Sequence, residues 1–448
     1  MSKRGYFRGG VHPPDRKDLS RDKAVEVLPA PSRLIVPLSQ HIGAPCEAIV
    51  SVGDSVKRGQ KIGEARGFVS VPVHAPTSGM VLRVENFPHP LGRSLPAVEI
   101  ESDGLDEWSQ DTGGRDDFSS LSPDELRAVI REKGLVGMGG AAFPTHVKLS
   151  PPPNKPIDTL IVNGSECEPY LTADFRLMVE EPEKIIGGMR IMMEILGVKR
   201  VFVAIEENKP EAVEIIQRTL GKEPHVQVAP LAVRYPQGAE KQLIKTLVNR
   251  AVPSSGGLPM DVGVLVQNVG TAAAVWDAVA LGIPLIERVL TVTGEGVVNP
   301  KNLRVRIGTP VSVLLQACGG FIENPGKLIL GGPMMGVSQY TAEVPVVKGT
   351  SGVLVLRASQ VPQEEALTCI RCGTCVRVCP MNLVPCDLGL LTMRGLFDEA
   401  ERRFVLDCIE CGSCAFGCPS RIPLVHWIRY AKGEVLAKRS QQKQASAT

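Results

Sequence analysis

Apolar and polar positions alternate nearly one by one between residues 34 and 101, broken by Gly, Asp and Pro at Gly53-Asp54, Gly59, Gly63, Pro76 and Gly79. That rhythm predicts short strands joined by tight turns, a small all-β unit. The pattern changes at Ser122, where a Ser, a Pro and two acids (Asp124, Glu125) signal the start of a helix that should end at Gly134. Beyond it, short apolar runs at 159–163, 200–205, 226–232 and 262–268 read as buried strands, and amphipathic stretches at 182–196, 210–220 and 240–250 read as helices. Strands alternating with helices predict a mostly parallel, doubly wound sheet. From 289 to 356 the strands are short, with one helix at 310–317, which indicates a small α+β unit.

The order of turns and strands in the first unit is similar to the barrel-sandwich hybrid of biotinyl and lipoyl domains. Those carry a modified lysine at a hairpin tip; here the tip reads Ala65-Arg66-Gly67-Phe68-Val69. A docking module fits better than a swinging arm. Composition removes several functions. Lys+Arg 50 against Asp+Glu 48 gives +2, with no electrostatic footprint for nucleic acid, and 4% aromatics leave few stacking platforms. No run of 18 apolar residues exists; the best, 262–286, is broken by Gln267, Asn268 and Asp277, so no membrane span is expected. The first residues lack the apolar core of a signal peptide.

Eight of the 12 cysteines form two runs, Cys369-x-x-Cys372-x-x-Cys375-x-x-x-Cys379-Pro380 and Cys408-x-x-Cys411-x-x-Cys414-x-x-x-Cys418-Pro419. This is the bacterial ferredoxin spacing, twice. In two-cluster ferredoxins the fourth cysteine of each run ligates the other cluster. One [4Fe-4S] cluster is therefore expected on Cys369, Cys372, Cys375 and Cys418, the other on Cys408, Cys411, Cys414 and Cys379. Paired zinc sites are the competing reading, but they usually join one C-x₂₋₄-C pair to a distant second pair. Cys46, Cys167 and Cys318 read as core residues, and Cys386 lies close enough to the first run to leave its role open.

Two further stretches carry chemistry. Gly134 to Lys148 contains Gly137, Gly139 and Gly140, a loop able to present N–H groups to phosphate, although it follows a helix and fits neither the dinucleotide fingerprint nor a P-loop. A glycine turn packed on a sheet would look the same. Asn163-Gly-Ser-Glu166-Cys-Glu168-Pro169 follows the first predicted strand, where open α/β sheets bind ligands. A solvated acidic turn is the plainer reading there.

Gly137-x-Gly139-Gly140-Ala-x-Phe143-Pro144-Thr145…Lys148, Asn163…Glu166-x-Glu168-Pro169…Asp174, Tyr235-x-x-Gly238-x-Glu240 and Asn268-Val-x-Thr271 resemble, in this order, the FMN and NADH site of the NADH-binding flavoprotein subunit of complex I. That subunit has one C-terminal cluster motif. The combination with a barrel-sandwich unit and a double cysteine run is similar to the C subunits of Rnf electron-transport complexes, ion-translocating ferredoxin:NAD+ oxidoreductases. The resemblance implies a multidomain α/β chain: an extended arm (1–30), the barrel-sandwich unit (31–103), a linker (104–122), a Rossmann-like FMN/NADH α/β domain (123–288), a β-grasp, SLBB-like domain (289–358), an α-helical double [4Fe-4S] ferredoxin-like domain (359–436) and a disordered tail (437–448).

It also implies roles. Gly137, Gly139 and Gly140 would lie against a non-covalent FMN, Lys148 would pair with its phosphate, and Asn163, Asn268 and Thr271 would hydrogen-bond the flavin. Phe143 would stack on the adenine of NAD(H), Glu168 and Glu240 would face the nicotinamide, and Glu166 would shape the field; Tyr235 and Gly238 complete the cofactor-binding set. Met138 stands where the complex I pattern has Arg, and Gly238-Ala239-Glu240 where it has Gly-Glu-Glu. No acid–base catalytic residue is expected. FMN, able to take a hydride's two electrons and pass single ones, would sit between nicotinamide and clusters. Partners would be the integral membrane and iron–sulfur subunits of a complex at the cytoplasmic face of the bacterial inner membrane. The runner-up is a soluble flavin and iron–sulfur reductase, such as a microcompartment cobalamin reductase; a third reading is a non-catalytic cluster scaffold.

Overall fold

The strand–helix alternation builds a four-stranded sheet from Thr159–Gly164, Val201–Glu206, Val226–Leu231 and Val264–Asn268, all parallel. In a computed structural model describing residues 7–114, 120–322, 324–361 and 365–445, the strand at 159 has the 201 and then the 226 strand on one side, and the 264 strand on the other. Chain direction across the sheet therefore reverses between the first and last strands. Their register places Asn268 directly beside Asn163 at the carboxyl ends. This is the topological switch point, the place in the strand order where open α/β sheets bind ligands.

Helices Pro182–Leu196 and Val269–Ala280 cover one face. Small residues let them approach closely: a Cβ on Gly188 would lie 1.7 Å from the carbonyl oxygen of Ala272, and one on Gly187 would strike the Trp276 ring. Met189, Met192 and Val275 join Leu160 and Val162 in the same buried core.

The first unit is a sandwich of two sheets. One holds Arg33–Pro37, Arg93–Ser102, Gly79–His89 and Ser55–Val56; the other holds Glu47–Ala48, Lys61–Glu64 and Val73–His74. Val36, Ile62, Val81, Val98 and Ile100 fill the space between. Its hairpin tip is docked: Phe68 O accepts from His146 Nε2 at 2.9 Å, and the two rings meet edge to face at 5.5 Å. The 287–357 segment forms most of a six-stranded mixed sheet, and the N-terminal arm supplies its edge strand Val25–Val27, parallel to Lys301–Arg306.

Two compact units emerge, one from 15–231 and 263–361, the other from 1–14, 232–262 and 362–448. Residues 232–262, within the domain expected over 123–288, group in space with the cysteine segment. Their side chains engage it, as Gln242 Nε2 does on Pro380 O at 3.1 Å. The tail differs from expectation: helix Leu424–Ala445 runs through 437, carried by good helix formers and by the ion pairs Lys438–Asp398 and Arg439–Glu401. Residues 446–448, 1–6 of the arm and 115–119 of the linker lie outside the described residues.

Gly188→Ala should lower stability by about 2–3 kcal/mol, because the added methyl must force the two helices apart. A urea unfolding midpoint equal to the wild type would contradict this packing.

Candidate flavin and iron–sulfur sites

The switch point is assembled around the Asn268 side chain. Its Oδ1 caps the following helix by accepting from Gly270 N at 2.7 Å, while its Nδ2 donates to Asp174 Oδ2 at 2.6 Å. The glycine loop is pinned to the same helix end: Met138 N–H donates to Thr271 Oγ1 at 2.8 Å, and Gly137 N–H to Phe143 O at 2.8 Å. Gly139 has φ +89, and a Cβ there would meet Asn268 Nδ2 at 2.8 Å. A Cβ on Gly140 meets nothing within 4 Å, so the exposed Gly139-Gly140 stretch presents bare backbone. Phe143 is half-buried beside it. Lys148 Nζ reaches the neighbouring strand, donating to Val266 O at 2.7 Å. Asn163 Oδ1 accepts from Ser165 N at 3.1 Å and shapes the acidic turn.

The two acids of that turn have different surroundings. The Glu166 side chain is 5% exposed and accepts from Asp174 N at 2.7 Å. Burial pushes its carboxyl up to about 7, with Lys17 opposing and Asp174 adding to the rise. Glu168 instead accepts from Met334 N at 3.1 Å and Met335 N at 2.9 Å, so its carboxylate faces the β-grasp turn. Two buried lysines not expected from the sequence fix the turn's backbone. Lys17 Nζ donates to Glu168 O at 3.0 Å and also to Leu171 O, and lies 3.9 Å from Glu166 Oε2. Lys209 Nζ donates to Ser165 O at 2.6 Å. Arg288, also buried, sets its guanidinium against the Met138 sulfur and Thr350 O. No periodicity marks these cations; the Asn-Lys-Pro start of a helix at 208–210 is the nearest signal.

Tyr235, Gly238 and Glu240 lie in the other unit. There Cys379, Cys408, Cys411 and Cys414 line one cavity walled by Pro380, Met381, Leu383 and Ile428. Cys379 comes from the first run and the other three from the second. The Cys414 thiol is pushed up by burial and then by Cys408, Cys411 and Cys379 around it. Thiols crowded this way resist ionisation, and a cationic iron–sulfide core is the chemistry that reverses it. Backbone amides already point at the sulfurs, Leu383 N to Cys379 at 3.4 Å and Glu410 N to Cys408 at 3.3 Å. In the other set Cys375 is buried, Cys418 half-buried, and Cys369 and Cys372 exposed. Cys386 packs with Cys375, Cys418 and Trp427.

A parallel-sheet switch point with a glycine loop, together with a doubled ferredoxin-type thiol set, defines an iron–sulfur flavoprotein. Residues 130–277 match the Nuo51 FMN-binding domain, 5–105 the RnfC barrel sandwich hybrid domain, 289–338 the SLBB domain and 360–422 the 4Fe-4S dicluster domain. The chain is 49% identical to the C subunit of the proton-translocating ferredoxin:NAD(+) oxidoreductase complex of Clostridium ljungdahlii, over 98% of this chain and 95% of that one. It is 46% identical to the Na(+)-translocating counterpart of Acetobacterium woodii, over 98% of each. A solved NAD+-reducing [NiFe]-hydrogenase is similar over 74% of this chain and 69% of that one, at 18% identity and a TM-score of 0.48. The chain belongs to the family of C subunits of ion-translocating ferredoxin:NAD(+) oxidoreductase complexes.

Because Glu166 titrates near 7 rather than 4.5, the fold keeps a proton that the unfolded chain has lost between those values. Its contribution to stability therefore falls as pH rises from about 4.5 to about 7. Glu166→Gln should flatten that part of the pH profile of the thermal midpoint; parallel wild-type and variant profiles would refute the assignment.

Proposed function

We propose that this chain is the peripheral, NAD(H)-handling subunit of a membrane-bound, ion-translocating electron-transport complex, passing electrons between NAD(H) and ferredoxin-linked carriers. The observation that carries this reading is the presence, in one chain, of a switch-point site matching an FMN domain and of a thiol set crossed between two ferredoxin runs. Bound FMN supplies exchange of a hydride's two electrons on one side and of single electrons on the other.

The chain's own residues do the rest. Gly139 and Gly140 give planar access to the loop backbone, and the N-terminus of the Val269–Ala280 helix favours a phosphate. Lys148 is the cation assigned to that phosphate, and Asn163, Asn268 and Thr271 are the donors and acceptors assigned to the ring. Glu166, titrating near 7, can hold or release a proton at its carboxylate beside the strand ends. Phe143 is half-buried, as a stacking face for adenine requires. Glu168 would face a nicotinamide only after leaving the Met334 and Met335 amides. The roles of Tyr235, Gly238 and Glu240 rest on the resemblance alone.

Among the described residues no helix is long and apolar enough to cross a membrane, so attachment falls to protein surfaces. We place the chain at the cytoplasmic face of the bacterial inner membrane, where NADH is available, with integral membrane and iron–sulfur subunits as partners. The ion named for the two relatives differs although both are nearly equally similar to this chain. Electron handling of this kind is thus compatible with either ion.

Anaerobically purified chain should contain about eight irons and about one FMN, and NADH should bleach the flavin band. Iron without a bleachable flavin would overturn the proposal. Cys418→Ser should damage the cluster on Cys369, Cys372 and Cys375 and spare the other; EPR showing the reverse would refute the crossed assignment.

A further inference from the structure

Two ligands of the second-run thiol set are gripped by segments remote from them in sequence. Gly10 N–H donates to Val378 O at 2.8 Å, next to Cys379. Gly9, at φ +77, lies so close that a Cβ there would be 2.6 Å from the Cys379 carbonyl oxygen. One residue beyond Gly10, Val11 and Tyr235 exchange backbone hydrogen bonds, Val11 N to Tyr235 O at 2.9 Å and Tyr235 N to Val11 O at 3.0 Å. Tyr235 is 3% exposed, and its hydroxyl donates to Cys411 O at 2.7 Å. The contacts thus run from Cys379 through Gly9, Gly10, Val11 and Tyr235 to Cys411, a continuous path around two of the four thiols. Phe7, buried at the start of the segment, anchors it beneath the Arg234 guanidinium, which lies 5.4 Å from the ring centroid, within cation–π range. In the first-run set Cys369 and Cys372 are exposed, and the Cys372 carbonyl accepts from Arg377 Nη1 of its own run at 2.9 Å.

We propose that residues 7–11 and Tyr235 form a clasp that positions Cys379 and Cys411 and so tunes the second-run cluster alone. The inference rests on the two-cluster reading above and goes beyond it. Hydrogen bonds and burial around the ligands set a cluster's potential, and solvent access moves it further. The Tyr235 hydroxyl polarises the carbonyl of a ligand residue, and the glycine pair excludes water from the Cys379 side. Tyr235 is here a positioning residue for iron and not a group that touches it.

The test is an EPR-monitored redox titration of the anaerobically purified full chain. Cys408→Ser first identifies the second-run signal by its loss. Tyr235→Phe should then shift the midpoint potential of that signal and leave the first-run signal in place. No shift with both clusters present, or an equal shift of both, overturns the clasp. A wild-type chain without two clusters overturns the reading beneath it as well, so the two failures are distinct. Gly9→Ala should cost about half the iron, with the first-run signal retained. Full iron and an unmoved second-run signal in that variant would remove the arm from the proposal.

Discussion

One amide side chain holds the flavin-type site together. Asn268 closes the last strand of the sheet, caps the helix that follows, and grips Asp174 from the helix after the acidic turn. Gly139 leans on the same side chain because no Cβ would fit. Three segments far apart in sequence therefore meet on a group that has both a donor and an acceptor end, each used. An ionised carboxylate at 268 could accept from the Gly270 amide but would have no hydrogen to donate to the Asp174 carboxylate. The close approach of the two helices behind it, permitted by Gly187 and Gly188, keeps this end of the sheet in place.

That arrangement brings charge indoors. Lys17, Lys209, Arg288 and the Glu166 side chain are buried near the strand ends, with Asp174 half-buried beside them, where unpaired ions are expensive. Much of the cationic contribution goes to backbone carbonyls of the acidic turn instead of forming tight ion pairs. The turn is thus fixed in shape while Glu166 stays poised between protonation states. A polar site of this kind can accept an anionic cofactor without rearranging its own backbone, since the donors and the shape already exist.

The periodic parts were legible in the sequence. The 182–196 and 210–220 helices and the Ser122 cap follow from spacing and end signals, and they occur where expected. The alternation of strands and helices also pointed to a parallel sheet. What escaped reading was long-range: Lys17 reaching the Glu166 turn from the arm, Glu168 turning to the amides at Met334 and Met335, and residues 232–262 joining the cysteine segment. None of these leaves a local trace, because each is decided by which surfaces meet after the elements form. The helix at 269–280 was hidden for another reason. It is apolar on nearly all sides, so it merges with the preceding strand into one run without periodicity.

The cysteine runs show the opposite case, in which a long-range contact is written into local spacing. Three thiols at C-x₂-C-x₂-C can wrap one side of a cube, and the fourth, further along the run, points away to the neighbour. Duplication then forces each run to complete the other. Cys379 beside Cys408, Cys411 and Cys414 is the product of that constraint. It also makes the two halves unequal, since one set is enclosed by other parts of the chain while Cys369 and Cys372 of the other remain open to solvent. Two cubes with like ligands but unlike surroundings need not share a potential, and a difference in burial is a direct physical means by which a repeat of one sequence motif becomes a directed path for electrons.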